Sequence, residues 1–271
     1  MAHCEMKKYW HVMKIGTENT LVYRFNFFFR AAVSLIPLLA TIYLWQTIYS
    51  GKKPDVAGYS LGAMISYYLL VTIVDTLTAV NEDDWQIAAD IKDGNISQFL
   101  LKPIDYLAYR ICLFVSGKLI FTTISIVPVG LFMVCFRHYF VPPPGWAMTG
   151  CFVLSVLLTG LLQFLMSYTM ALLAFWLLEV STIIFILFAF EYIAGGHLFP
   201  LNILPHGLEM ALNCTPFPYL LYFPVSVYLR QVGGAELWRG LAIQAGWVVL
   251  FYFVARWVWQ RGIRTYTAVG G

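Results

Sequence analysis

Four ionisable side chains stand inside or beside long apolar runs: Asp75, Lys118, Glu191 and His197, with His206 a little further on. A charge held in lipid costs enough free energy that each such group is a functional candidate. Carboxylates and imidazoles also build metal sites and acid–base pairs. Their spacing here matches no ligand pattern such as HExxH, and no phosphate-cradling GxxxxGK[ST] occurs. Ser116-Gly117 offers no GxSxG nucleophile elbow. The five cysteines, Cys4, Cys112, Cys135, Cys151 and Cys214, are scattered without CxxC spacing, a pattern that speaks against a disulfide framework. The expectation is therefore no catalytic residue, no metal site and no cofactor bound by this chain. Two roles remain for the embedded charges: orienting helices, or relaying ions or protons as a stand-alone secondary carrier or channel would.

Depth narrows the first role. Asp75 lies about 9 Å, and Lys118 about 12 Å, from the inner ends of two successive apolar runs at ~1.5 Å per residue. The similar depths predict an Asp75–Lys118 pair, unless Lys118 reaches the interface alone by snorkelling. Glu191 precedes Ala194-Gly195-Gly196. Broken backbone at membrane depth is tolerated only when buried in protein or lining a cavity. The glycines thus predict a break, with chain re-entering over about 197–212 before the last crossing. Glu191 would line an exit or cap the break, or in a shorter span would lie near the outer headgroups.

A different chemistry, recognition, is written in NEDDWQIAADIKDGNISQFLLKPID, Asn81 to Asp105. Trp85, Ile87, Ala88 and Ile91 fall on one broad helical face, while Asp83, Gln86, Asp90 and Asp93 gather opposite. Gly94 suits the left-handed position that ends a helix. A second segment begins near Ile96 and reaches Leu100-Leu101, and Pro103 disfavours helical geometry at Lys102. The pattern predicts a short helical hairpin with apolar knobs and acidic flanks. Anionic headgroups attract bases rather than acids, so a protein groove suits it better than lipid. The expected contact set is Ile87, Ile91, Gly94, Ile96, Leu100 and Pro103.

The elements that must position these groups are membrane spans. Of 271 residues, 60% are hydrophobic and 11% charged, against ~45–50% and ~25% in soluble domains. The surplus faces lipid, and a net charge of +3 is too small to imply nucleic acid. Runs of about 20 apolar residues cross a bilayer. Six are read: Ala31–Tyr49, Ala57–Val80, Ile111–Phe136, Trp146–Leu177, Ser181–Phe199 and Leu241–Trp259. This predicts an all-α integral membrane protein with one transmembrane domain over 1–271. Lys7, Lys8, Lys14, Arg24, Arg30, Lys92, Lys102, Arg110, Arg256, Arg261 and Arg264 fall on one side. Lys52, Lys53, Arg137, Arg230 and Arg239 fall on the other. The positive-inside rule then puts both termini and the 81–105 loop in the cytoplasm, in a multi-pass protein of the cytoplasmic (inner) membrane. Residues 1–30 mix bases with aromatics, as an interfacial helix does; a solvated tail is the other reading.

The run DIKDGNISQFLLKPIDY resembles the cytoplasmic loop of type-2 ATP-binding-cassette exporter permeases, which carry a similar I-x-x-G-x-I/L-x-x-x-L-x-x-P-I pattern between spans two and three. GGHLFPLNILPHGLEMALNCTPFPYLLYFP, spanning 195–224, is similar to that family's extracellular or re-entrant segment; Gly195, Gly196, Pro200, Pro205 and Pro216 carry the likeness. The ending WVWQRGIRTYTAVGG resembles a bacterial subgroup through Gly262, Arg264, Tyr266 and Gly270. The resemblance implies that 81–105 holds a coupling helix inserting into a soluble ATPase subunit, which would bind ATP and Mg. It also implies a second permease, in a homodimer or heterodimer, and export of a substrate the sequence does not name.

Overall fold

The computed structural model describes residues 2–22, 24–51, 56, 58–80, 83–177 and 179–266. Lys52, Lys53 and Gly270 lie outside them. Among the described residues twelve α-helices follow one another: α1 Ala2–Val22, α2 Arg24–Val33, α3 Leu35–Ser50, α4 Leu61–Thr78, α5 Asp83–Lys92, α6 Ile96–Leu100, α7 Tyr106–Cys135, α8 Trp146–Ala171, α9 Ser181–Ala194, α10 His206–Asn213, α11 Tyr222–Tyr228 and α12 Gly234–Thr265. No strand occurs among the described residues. The protein is an all-α, multi-pass membrane bundle. Five described stretches are long and apolar enough to cross a bilayer: Phe25–Ser50, Leu61–Thr78, Tyr106–Cys135, Trp146–Phe175 and Gly234–Thr265. The expected span over Ser181–Phe199 is cut short, because α9 stops at Ala194 after 14 residues.

Side-chain caps set where two of the helices begin. Asp105 has extended backbone, and its Oδ1 accepts from the Ala108 amide at 2.9 Å, so α7 begins at Tyr106. Its carboxylate satisfies an amide that the first helical turn cannot. Ser60 does the same for α4 through the Ala63 amide at 3.3 Å. The polar ends of α12 are helical although hydropathy marks only its middle.

The described residues of 1–30 are helical and do not project as a free tail. The Tyr9 hydroxyl accepts from the Asp105 amide at 3.4 Å, Gly16 lies against Ser116 and Leu113, and Phe27 meets Phe121 edge-on at 5.7 Å. Residue numbers rise together along both partners, so α1 and α2 run lengthwise beside α7 rather than flat across its foot. Thr17 and Thr20 turn their hydroxyls back to the Met13 and Gly16 carbonyls, at 2.8 and 2.7 Å, which keeps α1 satisfied within itself.

Two apolar cores hold the bundle. One joins α5, the first half of α7, α8, α11 and α12 through Ile87, Phe114, Leu165, Val227 and Ala255. The other joins α3, α4 and α11 through Ile42, Met64, Leu69 and Val225. Polar groups reinforce them. Gln244 of α12 is fully buried; its Oε1 accepts from Ser155 Oγ at 2.9 Å. Its Nε2 lies 3.1 Å from the Ser155 carbonyl, 3.0 Å from Thr159 Oγ1 and 2.9 Å from the Tyr219 carbonyl. Where lipid surrounds a bundle, such bonds hold helices together in place of the hydrophobic effect.

Candidate docking hairpin and interior polar contacts

Between α4 and α7 the chain makes the hairpin of α5 and α6. Gly94 sits at the turn with φ +78°, a conformation side chains other than glycine's rarely adopt. The apolar face of α5 points into the bundle. Ile87 and Ile96 are wholly buried and Ile91 nearly so, packed with Tyr106, Leu107, Leu165, Tyr168 and Leu172. This corrects the expectation that Ile87, Ile91 and Ile96 form a partner-facing surface. Burial of their side chains fixes the hairpin to its own bundle, because leaving that stripe in water is unfavourable. The outward surface is made by Leu100 at 50% exposure, Leu101 at 88% and Trp85 at 44%, with Lys102 and Pro103 exposed beside them. Gly94 is half-buried at the turn.

Polar bonds lock the hairpin's foot. Arg110, buried within α7, forms an ion pair with Asp90 of α5. Its Nε donates to the Tyr106 hydroxyl at 3.0 Å, and that hydroxyl donates to Asp90 Oδ2 at 2.9 Å. Arg110 also reaches Gln86 Oε1 at 3.4 Å. Tyr106 lies flat on Trp259 of α12, rings 4.8 Å apart and 8° from parallel. Arg256 of α12 pairs with Asp105. The Tyr266 hydroxyl, just past α12, meets Ser97 Oγ at 3.2 Å. The hairpin is thus tied directly to α7, α8 and α12. Sequence reasoning put Asp90 among solvent-facing acids and gave Arg110 no partner. The Tyr106/Arg110 spacing of four on α7, one face of a helix, was the available signal.

The second group of candidates lies around the break after α9. Gly196 has φ +95°, and a Cβ there would come within 2.6 Å of the Tyr67 hydroxyl. Glycine is required on both counts. Tyr67 donates to the Gly196 carbonyl at 2.6 Å and Tyr68 to the Leu198 carbonyl at 2.5 Å. The Tyr222 amide closes onto the Gly195 carbonyl at 2.9 Å. Glu191 is buried and accepts from Gln163 Nε2 of α8 at 2.6 Å. His197 Nε2 approaches Asp75 Oδ1 at 3.5 Å, and its ring stacks on Tyr192 at 4.9 Å.

Asp75, anticipated to pair with Lys118, has His197 as a hydrogen-bond partner. Lys118 Nζ donates to the Thr76 carbonyl at 3.3 Å, and Lys118 and Arg30 also act on Asp75 through their charges. Pro200 leads into a short 3-10 turn over Leu201–Ile203, Pro205 precedes α10, and Pro216 precedes a second turn over Phe217–Tyr219. Their fixed φ suits such starts. Among the described residues no three His, Cys, Asp or Glu side chains gather as a metal-ligand set.

The fold is thus an apolar multi-pass bundle carrying a packed hairpin at one end. The chain belongs to the ABC-2 family: the family model described as "ABC-2 family transporter protein" matches residues 35–270. It is an ABC transporter permease. Neither a curated protein nor a solved structure matches it.

Proposed function

We propose that this permease is driven by ATP hydrolysis on a separate soluble ATPase subunit, which grips the tip formed by Leu100, Leu101 and Pro103. The observation that carries the reading is the 88% exposure of Leu101 on a hairpin whose opposite face is buried. A leucine pair so open, on a rigid support, is the form of a knob for a partner's groove. Nucleotide and Mg belong to that partner. Closure of the ATPases pushes the hairpin, and the bonds from Asp90, Asp105 and Ser97 carry the push into α7 and α12. A second permease, the same chain or another, completes the pathway. The apolar face of α9, with Phe185, Phe190 and Ile193 largely exposed, is suited to cover by that subunit or by lipid. Both termini and the hairpin lie in the cytoplasm, and the substrate moves outward.

The test is co-purification of the full chain with ABC ATPase subunits co-expressed from the same genome. The native chain should retain the ATPase, and Leu100→Asp with Leu101→Asp should lose it while still entering the membrane. Retention by the double variant would contradict the reading. In the carrier alternative Asp75, Lys118 and Glu191 would form one relay; the hydrogen bonds described above run from them to His197, Thr76 and Gln163 respectively.

A further inference from the structure

We infer that His197 and Asp75 form a two-state joint that ties the Gly195–Gly196 break to the root of the hairpin, closed in this structure and open when the ATPases close. The inference rests on the ATPase-driven reading above.

Three observations lead to it. First, position: Asp75 is one turn before the end of α4, the helix that leads into the hairpin. Its backbone carbonyl caps that end by accepting from the Ala79 amide at 2.9 Å. Any movement of the hairpin's root therefore moves this carboxylate. Second, the break is laid along α4 by three side-chain contacts: Tyr67 to Gly196, Tyr68 to Leu198 and Asp75 to His197. The two tyrosine bonds are short and involve backbone carbonyls. The third is the longest of the set, and it is the one nearest the hairpin. It is the contact that gives first when α4 tilts.

Third, His197 is incompletely satisfied. Its Nδ1 is buried and makes no hydrogen bond among the described residues. A buried polar atom left in that state is unfavourable, so the arrangement around His197 is not its best in every conformation. A ring turned off Asp75 about its own side-chain torsions can present Nδ1 to a partner instead. Asp75 keeps cationic neighbours in Lys118 and Arg30 when the imidazole leaves, which lowers the cost of opening. Two arrangements with compensating contacts are what a switch element requires.

The experiment uses the full chain assembled with its ATPase. Spin labels go on Leu77→Cys and Leu198→Cys, exposed positions beside the joint, in a chain whose natural cysteines are replaced by serine. The label–label distance distribution is measured without nucleotide and after trapping with ATP and vanadate. Trapping should shift the distribution to a longer, distinct component. Asp75→Asn and His197→Gln, each isosteric enough to fold, should populate that component without nucleotide, raising its population at least about fivefold, the scale of a coupling between sites. Charge exchange, Asp75→His with His197→Asp, should restore the resting distribution. An unchanged distribution on trapping overturns the joint, as does Asp75→Asn behaving like the native chain. If the chain never captures the ATPase, the ATPase-driven reading itself has failed, and the label measurement on the isolated chain still reports whether Asp75→Asn loosens the break.

Discussion

The Tyr106 hydroxyl donates to Asp90 Oδ2 at 2.9 Å, so the first residue of α7 is fastened to α5, sixteen positions earlier in the chain. Arg110 completes the knot from one turn further along α7. Breaking a buried ion pair by removing one partner costs about 3–5 kcal/mol. Arg110→Ala should lower the Tm of the purified protein by roughly 6–20 °C, given about 2–4 °C per kcal/mol for a chain of this size. Asp90→Asn, which keeps an acceptor for the donors around it, should lower it by less. Differential scanning fluorimetry in detergent reads both.

The two sides of the hairpin should respond differently to truncation. Ile91→Ala removes a buried side chain, with a loss of about 2–5 kcal/mol, and should lower Tm in the isolated permease. Leu101→Ala, at 88% exposure, should leave Tm within error and weaken only ATPase capture. Equal Tm losses would mean that Leu101 also packs inside the protein.

Glycine requirements separate by position. Gly196→Ala places a methyl group 2.6 Å from the Tyr67 hydroxyl in a residue at φ +95°, so it should reduce both membrane yield and Tm. Gly207→Ala, inside α10 with nothing within 4 Å of the new Cβ, should leave Tm unchanged or slightly raised, since alanine favours helix by up to about 1 kcal/mol.

Gln244→Leu keeps the side-chain volume while deleting the bonds to Ser155, Thr159 and Tyr219. Interhelical bonds in membranes average about 0.6 kcal/mol each, so a total near ~2 kcal/mol is expected on that scale, seen as a Tm lower by several degrees. A rise in Tm would show that packing alone holds α8 to α12.

Much of this architecture could be read from the chain's own pattern. Apolar runs marked the long helices, and a glycine flanked by short amphipathic stretches marked the hairpin. Gly195-Gly196 marked the interruption of α9. What periodicity does not carry is which surface an apolar stripe meets. Ile87, Ile91 and Ile96 were correctly placed on helices, yet the same stripe serves equally for docking outward or packing inward, and only the fold decides. Contacts across helices were still less accessible. Asp75 and His197 are 122 positions apart, and equal depth alone could not choose between His197 and Lys118. Gln163 and Gln244 carry no motif and gain meaning only from the carboxylate and carbonyls they face.

The brevity of α9 has a consequence for the surrounding lipid. Its 14 residues reach about 21 Å at 1.5 Å per residue, against a hydrocarbon slab of ~30 Å. The remaining third must be made up by protein packed against it or by local thinning of the slab, at a cost that grows with each ångström of mismatch. Acyl-chain length is accordingly expected to matter to this molecule: short-chain lipids should suit the α9 break better than long-chain lipids.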